Sequence, residues 1–290
     1  MTYLNRTYSL MFQQEGGDQY IWKQTVNELG LALNFKAVKT ISKEPNVAEI
    51  GIYNLSVESQ NALMGGGIVQ LSAGYADTND IVILGSITST SFTIEPSGDR
   101  LTTISTLSNL VSKTVGNTLI KLEMGSGSST TQIVQKLTDH IKNNVKGVKV
   151  TKYQILTPKI YKSGISSIGD VFQLLDVYLS DIGYIYFIDN GSLNIVKNTG
   201  TTTIPIAEIS EDSGMIGAPK PVLATDDDGK SRIGIDFETI LNPNLNIGGR
   251  VRIMSKVNKQ VNLLYRIESL EHQGNSHAGV WKTKVKAWKV

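Results

Sequence analysis

The chain contains no cysteine. Disulfides, thiolate metal centres and a cysteine nucleophile are excluded, and the absence fits assembly in a reducing compartment. Histidine is almost as scarce: His140, His272 and His277 are the only three, which leaves little for a histidine-based metal site. Proline is rare too, 7 against 27 glycines, a balance that suits many turns between short strands. Charge of either sign is in slight supply, and the net charge is +2. So small an excess drives no affinity for nucleic acid or membranes. No apolar run approaches the ~18–20 residues that span a bilayer. The N-terminus lacks a charged region followed by an apolar one. The chain therefore reads as soluble and unprocessed, with no membrane anchor.

What is present is strand patterning. The 290 residues allow two or three domains at ~100–200 residues each. Leu33, Phe35 and Ala37 alternate with polar residues, with Lys36 and Lys39 read as a wet side. Ala48, Ile50 and Ile52 alternate with Val47, Glu49 and Tyr53. Period two marks half-buried strands, and further strands fit Ile68–Tyr75, Asp80–Thr90 and Arg100–Leu107. A short helix fits Ser56–Met64, with Ser56 as N-cap and Val57, Leu63 and Met64 inward. Near Ser112 the character changes. Ile133, Val134, Leu137 and Ile141 recur at helical spacing over Thr130–Asn144. A second helix fits Ser167–Asp181, and Asp189-Asn190-Gly191 between two apolar runs predicts a hairpin. Strands return at Thr202–Ile209, Arg232–Leu241, Gly249–Ser255, Asn262–His272 and Val280–Val290. The fold class is mainly β with an α+β insert: residues 1–112, an α+β middle over 113–199, and residues 200–290.

The two β parts share an order of landmarks. Ile50-Gly51-Ile52 matches Ile233-Gly234-Ile235, and Gly67-Ile68-Val69 matches Gly249-Arg250-Val251. Gly85-Ser86-Ile87 matches Tyr265-Arg266-Ile267, and Leu101–Ser105 matches Trp281–Val285. The offsets stay near 180 residues. The expectation is one β-barrel or sandwich module used twice, which suits a protein that must meet a ring of twice its own symmetry.

Catalytic and phosphate motifs are missing. There is no G-x-S-x-G elbow and no P-loop, and Gly65-Gly66-Gly67 lacks the later glycine of a dinucleotide loop. Gly125–Ser129 reads as a linker with a Ser or Thr N-cap rather than as an anion site built from backbone N–H groups. Asp226-Asp227-Asp228-Gly229 fails the calcium-loop register, because Ala224 and Ile235 stand where carboxylates are needed. His272 and His277, with a carboxylate such as Glu271, have the groups of a metal or acid–base site, but two histidines flanking a hairpin turn read as plain loop residues; Glu123 and Asp139 are candidate acids that nothing sets apart. Lys282, Lys284 and Lys286 share one face of the last strand, where they suit either edge protection or an interface. Tyr184, Tyr186 and Phe187 cluster beside the hairpin and read as core rather than as a sugar-binding platform.

The run from Phe35 to Thr40, followed by Glu44-Pro45-Asn46-Val47-Ala48-Glu49-Ile50-Gly51-Ile52-Tyr53-Asn54-Leu55-Ser56, resembles the opening of phage tail baseplate hub proteins. Gln70–Tyr75, Ile83–Ile87, Leu241–Gly249 and His272-Gln273-Gly274-Asn275 are similar to later segments of that family, and Ser213–Pro219 resembles one of its turns. Asn275 stands where the family often has Asp, which keeps the turn. The resemblance implies two tandem tube-like β-barrels per chain and a homotrimer that adapts a hexameric tail tube to a three-fold central spike. It implies a virion component of a contractile tail, assembled in the host cytoplasm, with other baseplate proteins and the tape measure protein as further partners. No enzyme activity, cofactor, metal or specific nucleic acid is expected. The interaction residues are Lys282, Lys284, Lys286, Pro45, Asn46, Asn242 and Pro243. A tail-associated cell-wall hydrolase and a glycan-binding β-module stay open as alternatives.

Overall fold

The computed structural model describes residues 5–14, 16–42, 45–76, 78–108, 118–145, 147–202, 204–225, 231–277 and 279–290. In chain order the elements are β1 (Arg6–Gln14), β2 (Gln19–Gln24), β3 (Leu33–Thr40), β4 (Val47–Tyr53), α1 (Val57–Met64), β5 (Gly67–Tyr75), β6 (Asp80–Ile94) and β7 (Arg100–Leu107). The middle holds β8 (Leu119–Met124), α2 (Thr130–Asn144), β9 (Lys149–Val150), β10 (Ile165–Asp170), α3 (Val171–Ser180), β11 (Tyr184–Asp189) and β12 (Ser192–Lys197). The last part holds β13 (Ala207–Ile209), β14 (Met215–Thr225), β15 (Ser231–Ile240), β16 (Arg250–Ile253), β17 (Leu264–Asn275) and β18 (Trp281–Lys289). Two compact units result. One draws its described residues from Met1–Ile41, Pro45–Ser108 and Thr203–Val290, the other from Ser42–Glu44 and Asn109–Thr202. Both β parts thus share a unit.

Alternation builds the core of that first unit. Tyr8, Leu10 and Phe12 of β1 are buried, and antiparallel pairing sets them opposite Ala73, Leu71 and Val69 of β5. Phe35, Ile50, Ile104, Leu241 and Trp281 join the same core. A sheet of 13 strands runs β14-β15-β18-β17-β3-β4-β7-β6-β5-β1-β2, with β16 on β17 and β13 on β16. The N-terminal and C-terminal strands join where β3 pairs β17, from Asn34 opposite Asn275 to Thr40 opposite Ser269.

The pairing order repeats. The first part reads β3-β4-β7-β6-β5-β1 and the last reads β14-β15-β18-β17-β16-β13. The register shift between Ile87 and Ser89 of β6 recurs between Ile267 and Ser269 of β17, 180 positions on. Val69 faces Gly85 and Val251 faces Tyr265, two places related by that same offset, so the two valines hold equivalent positions. The copies differ at one end: β5–β1 is antiparallel and long, whereas β16–β13 is parallel and short.

Two of the sequence matches need correction. Ile50 faces Ile104, and Phe237 faces Val285. Phe237 is therefore the counterpart of Ile50, four residues beyond the expected Ile233. On the last strand, Ser105 corresponds to Lys286 and not to Val285, since both face the serine after the bulge. A two-residue period matches at many offsets, and only the ladder selects one.

Other expectations shift for local reasons. Of Ser213–Pro219, a turn by resemblance, Ser213 and Gly214 lie in the turn, while Met215–Pro219 belong to β14. Pro219 and Pro221 lack ladder N–H groups, and the pairing with β15 slips between Ile216 and Lys220. Helix α3 starts at Val171, because the Asp170 carboxylate accepts from the N–H groups of Phe172 and Gln173, while Ser167 lies in β10. In α1 the buried residues are Ser59, Ala62 and Leu63, while Val57 and Met64 are exposed. Lys39 shares the inner face of β3 and is buried.

The second unit packs Ile133, Val134, Leu137 and Ile141 of α2 with Val171, Leu175 and Leu179 of α3 and Tyr184, Ile188, Leu193 and Ile195 of the β11–β12 hairpin. Its loop is Asn190-Gly191, with φ of 45° and 73° between paired Asp189 and Ser192. Asparagine and glycine tolerate those left-handed angles, and the resulting turn follows the strand twist. Ser129 caps α2 in a capping box with Gln132.

Candidate assembly surface

Strand β18 lies inside the sheet, with β15 on one side and β17 on the other. Edge protection by its lysines is therefore ruled out. Trp281, Thr283, Val285 and Ala287 point into the core, so Lys282, Lys284 and Lys286 stand on the solvent face. Lys282 Nζ donates to Glu238 Oε2 at 2.7 Å. Glu271 Oε1 takes Lys284 at 2.8 Å, and its Oε2 takes Lys36 at 3.2 Å. The hydrogen bond from Lys284, helped by Lys36, holds the Glu271 carboxyl below its usual range. Lys286 Nζ lies 5.3 Å from the Trp288 ring centre. The face is a mixed-charge ladder across β3, β17, β18 and β15, not a bare cationic row.

The two proline–asparagine turns serve the fold locally. Asn46 is buried and its Oδ1 accepts from the Thr40 N–H at 2.9 Å, closing the β3–β4 connection. Pro45 is exposed beside it. Asn242 Oδ1 accepts from the Asn244 N–H at 3.1 Å, and the Asn242 N–H donates to Thr283 Oγ1 at 3.0 Å. Pro243 is buried. The two turns do not hold equivalent places in the repeat. Pro45-Asn46 comes before β4 and Asn242-Pro243 after β15, at opposite ends of corresponding strands.

The final hairpin is tied back to the first strand. Arg6 donates from Nη1 to the Asn275 carbonyl at 2.7 Å and from Nη2 to the Gly279 carbonyl at 2.8 Å. Its guanidinium lies 5.5 Å from the Trp281 ring centre. Asn275 Oδ1 accepts from the His277 N–H, so the asparagine serves the turn. His272 is buried with Nδ1 2.9 Å from Thr283 Oγ1, and burial, with Lys39 nearby, pushes its pKa down to about 3. It is a neutral core histidine. His277 pairs with the neighbouring Ser276 hydroxyl.

The remaining candidates are quickly placed. Glu123 pairs with Lys121 and Asp139 with Lys142, both in the open. Tyr184, Tyr186 and Phe187 are buried, and Tyr184 Oη accepts from the Leu156 N–H. Asp226–Gly229 lies outside the described residues. A hollow of about 560 Å³ is lined by Ser210, Asp212, Arg252 and Lys256. Arg252 pairs with Glu208, and Lys256 with Asp212. Among the described residues no three histidine, aspartate or glutamate side chains gather as a metal group.

One surface escaped the sequence reading. Strand β6 continues past Thr90 to Ile94, and Phe92 (42% exposed) and Ile94 (74%) stand in solvent. Its signal is the run Thr90-Ser91-Phe92-Thr93-Ile94, since threonine, isoleucine and phenylalanine favour strands.

This fold is that of phage tail proteins and of related secretion-spike components. The tail protein from Neisseria meningitidis MC58 is similar with a TM-score of 0.62 at 12% identity, covering 98% of this chain and 96% of that one. The 43 kDa tail protein of prophage MuSo2 from Shewanella oneidensis has a TM-score of 0.59 at 11% identity, covering 96% of each chain. The E. coli c3393 protein, a type VI secretion component described as structurally similar to the T4 tail proteins gp27 and gp5, has a TM-score of 0.56 at 10% identity, covering 89% of this chain and 73% of that one. No curated sequence matches the chain. The family model described as "Baseplate hub gp41" matches residues 11–287. The chain belongs to the baseplate hub gp41 family.

Proposed function

We propose that this protein is a structural hub of the phage tail, built as a homotrimer that adapts a hexameric tail tube to a three-fold central spike. The observation that carries the proposal is the repeated pairing order, β3-β4-β7-β6-β5-β1 and β14-β15-β18-β17-β16-β13. Two like strand sets per chain, taken three times, present six similar units to a six-fold ring, while the chains themselves keep three-fold symmetry for the spike. Each set acts as one tube-like barrel unit in the assembly, and the middle residues 113–199 form a separate module. The ladder of Lys36, Glu271, Lys284, Glu238 and Lys282 faces a partner or the passage of the tube, its charges already paired so that nothing binds there tightly. The tube protein and the spike are the direct neighbours; other baseplate proteins and the tape measure protein complete the surroundings in a contractile tail. The role is mechanical and not enzymatic.

Copy number in assembled tail ends, from symmetry-free reconstruction or quantitative mass spectrometry, tests this. Three copies at the tube–spike junction are expected; six copies, or a location elsewhere, refutes it. Release of fragments from peptidoglycan by the purified chain would overturn the non-enzymatic role.

A further inference from the structure

A second group of cations lies beyond the paired ladder, on the same face of the sheet. Arg250 of β16 faces Arg266 of β17, Arg266 faces Trp288 of β18, and Trp288 faces Gly234 of β15. Their chain neighbours Val251, Tyr265, Ala287 and Ile235 are buried in the core, so alternation sets this row on the opposite face. Gly234 leaves room for the indole, since a Cβ there would run into the Trp288 ring. Trp288 is itself buried, and two cations rest against it. The Arg232 guanidinium lies 5.1 Å and Lys286 Nζ 5.3 Å from its ring centre.

The charges of this group do not balance. Arg266 donates to Glu268 at 2.8 Å. Arg232, Arg250 and Lys286 form no ion pair among the described residues. Asp236 stands across the ladder from Lys286, yet no ion pair joins them. Arg250 is half-buried, and its Nε is buried without a hydrogen-bond partner. Like charges directly opposite on a sheet are destabilising, and a buried donor left unpaired adds to the cost. An anion seated between Arg250 and its neighbours relieves both.

We propose that this row docks a short acidic segment of a partner protein, with one carboxylate on Arg250 and another on Arg232 and Lys286. Strands β16 and β15 are three spacings apart, ~14 Å, which an extended chain covers in four residues at ~3.4 Å each. Acidic residues at every second position of a crossing segment therefore meet the row at both ends and in the middle. The Arg250 fork accepts a carboxylate through two N–H groups. Trp288 holds Arg232 and Lys286 in place before the segment arrives, which lowers the entropy lost on binding. A nucleic-acid strand fits less well. Its phosphates recur at every nucleotide, and the face continues into Asp236, Glu238 and Glu271, which repel them. The docking needs neither the trimer nor the tube.

The test is fluorescence anisotropy of the full chain with a labelled peptide, acetyl-Glu-Ala-Glu-Ala-Glu-amide. Its glutamine analogue and a single-stranded thymidine hexamer serve as comparisons. At low ionic strength the peptide should bind with a Kd below about 1 mM, the glutamine analogue should not bind, and salt should weaken the complex. Arg250→Gln should weaken binding at least about tenfold. So should Arg232→Ala combined with Lys286→Ala, with the urea midpoint of the fold unchanged. If Arg250→Gln does not fold, the double variant decides alone. Arg250→Lys keeps the charge without the fork and should fall between. Lys162→Glu, at an exposed position of the second unit, should change the affinity by less than about twofold. No peptide binding up to about 10 mM, or an equal loss in Lys162→Glu, overturns the docking. Tighter binding of the thymidine hexamer than of the peptide overturns it in favour of nucleic acid. Because the isolated chain is tested, the outcome is independent of the copy number in the tail.

Discussion

Leu71→Ala measures how much the β1–β5 core contributes. Leu71 is fully buried and faces Leu10, also fully buried, with Phe12 and Val69 as neighbours in the same core. The substitution deletes three carbons, about 2.4 kcal/mol at ~0.8 kcal/mol per methylene. Neighbours on a paired ladder collapse little, so a cavity term raises the expected loss to about 3–4 kcal/mol, inside the ~2–5 kcal/mol range for such changes. That is a large share of the ~5–15 kcal/mol typical of a folded domain. Urea unfolding followed by tryptophan fluorescence is the assay, because Trp22, Trp281 and Trp288 all lie in the first unit. With a slope near the upper value of ~3 kcal/mol per molar, the midpoint should fall by about 1 M with the slope unchanged. Leu71→Asp places an unpaired carboxylate there and should leave no folded protein. Leu223→Ala, at an exposed position, should stay within about 0.5 kcal/mol of the parent. A Leu71→Ala loss under about 1 kcal/mol, below the range for a buried leucine, would refute the assignment of this pair to the core.

Buried His272, with its pKa lowered to about 3, is neutral when folded but takes a proton in the unfolded chain below about pH 6.5. The unfolded state then binds more protons, so stability is full above about pH 6.5 and falls toward about pH 5 by up to about 1.4 kcal/mol per unit; unfolding of His272→Gln across that window should show a flatter slope. Gly274→Ala drives a methyl into the Phe35 ring and within 2.6 Å of the Trp281 ring, and should cost about 1–3 kcal/mol by overpacking in the same fluorescence assay. Ser129→Ala removes the acceptor of the Gln132 N–H at the start of α2 and should cost about 0.5–2 kcal/mol, read by circular dichroism with the tryptophan transition unmoved.

Local chemistry makes much of this protein legible. The Asn190-Gly191 turn, the Ser129 cap and the extent of α2 depend on residues within a few positions of one another, and the structure has them where the sequence puts them. The inner faces of β3 from Leu33 to Ala37 and of β4 at Ile50 and Ile52 follow from alternation alone. Failures begin where distant partners decide. Lys39 reads as solvent-facing, yet it follows Leu33, Phe35 and Ala37 on the inner face of β3. The lysines of β18 read as a possible edge, yet whether a strand is an edge depends on which strands flank it, and β15 and β17 come from elsewhere in the chain. The repeat itself is visible as an order of landmarks, whereas its register is not: alternation leaves offsets of two or four residues equally good, and the bulges at Thr88 and Glu268 break the count. Composition and short-range pattern determined that this chain is mainly β, duplicated in outline and poor in catalytic groups. Tertiary structure decided that one ladder joins the two β parts through β3 and β17 and, among the described residues, sets β14 at the end of the sheet, because strand pairing satisfies backbone groups hundreds of residues apart and no local signal encodes the partner.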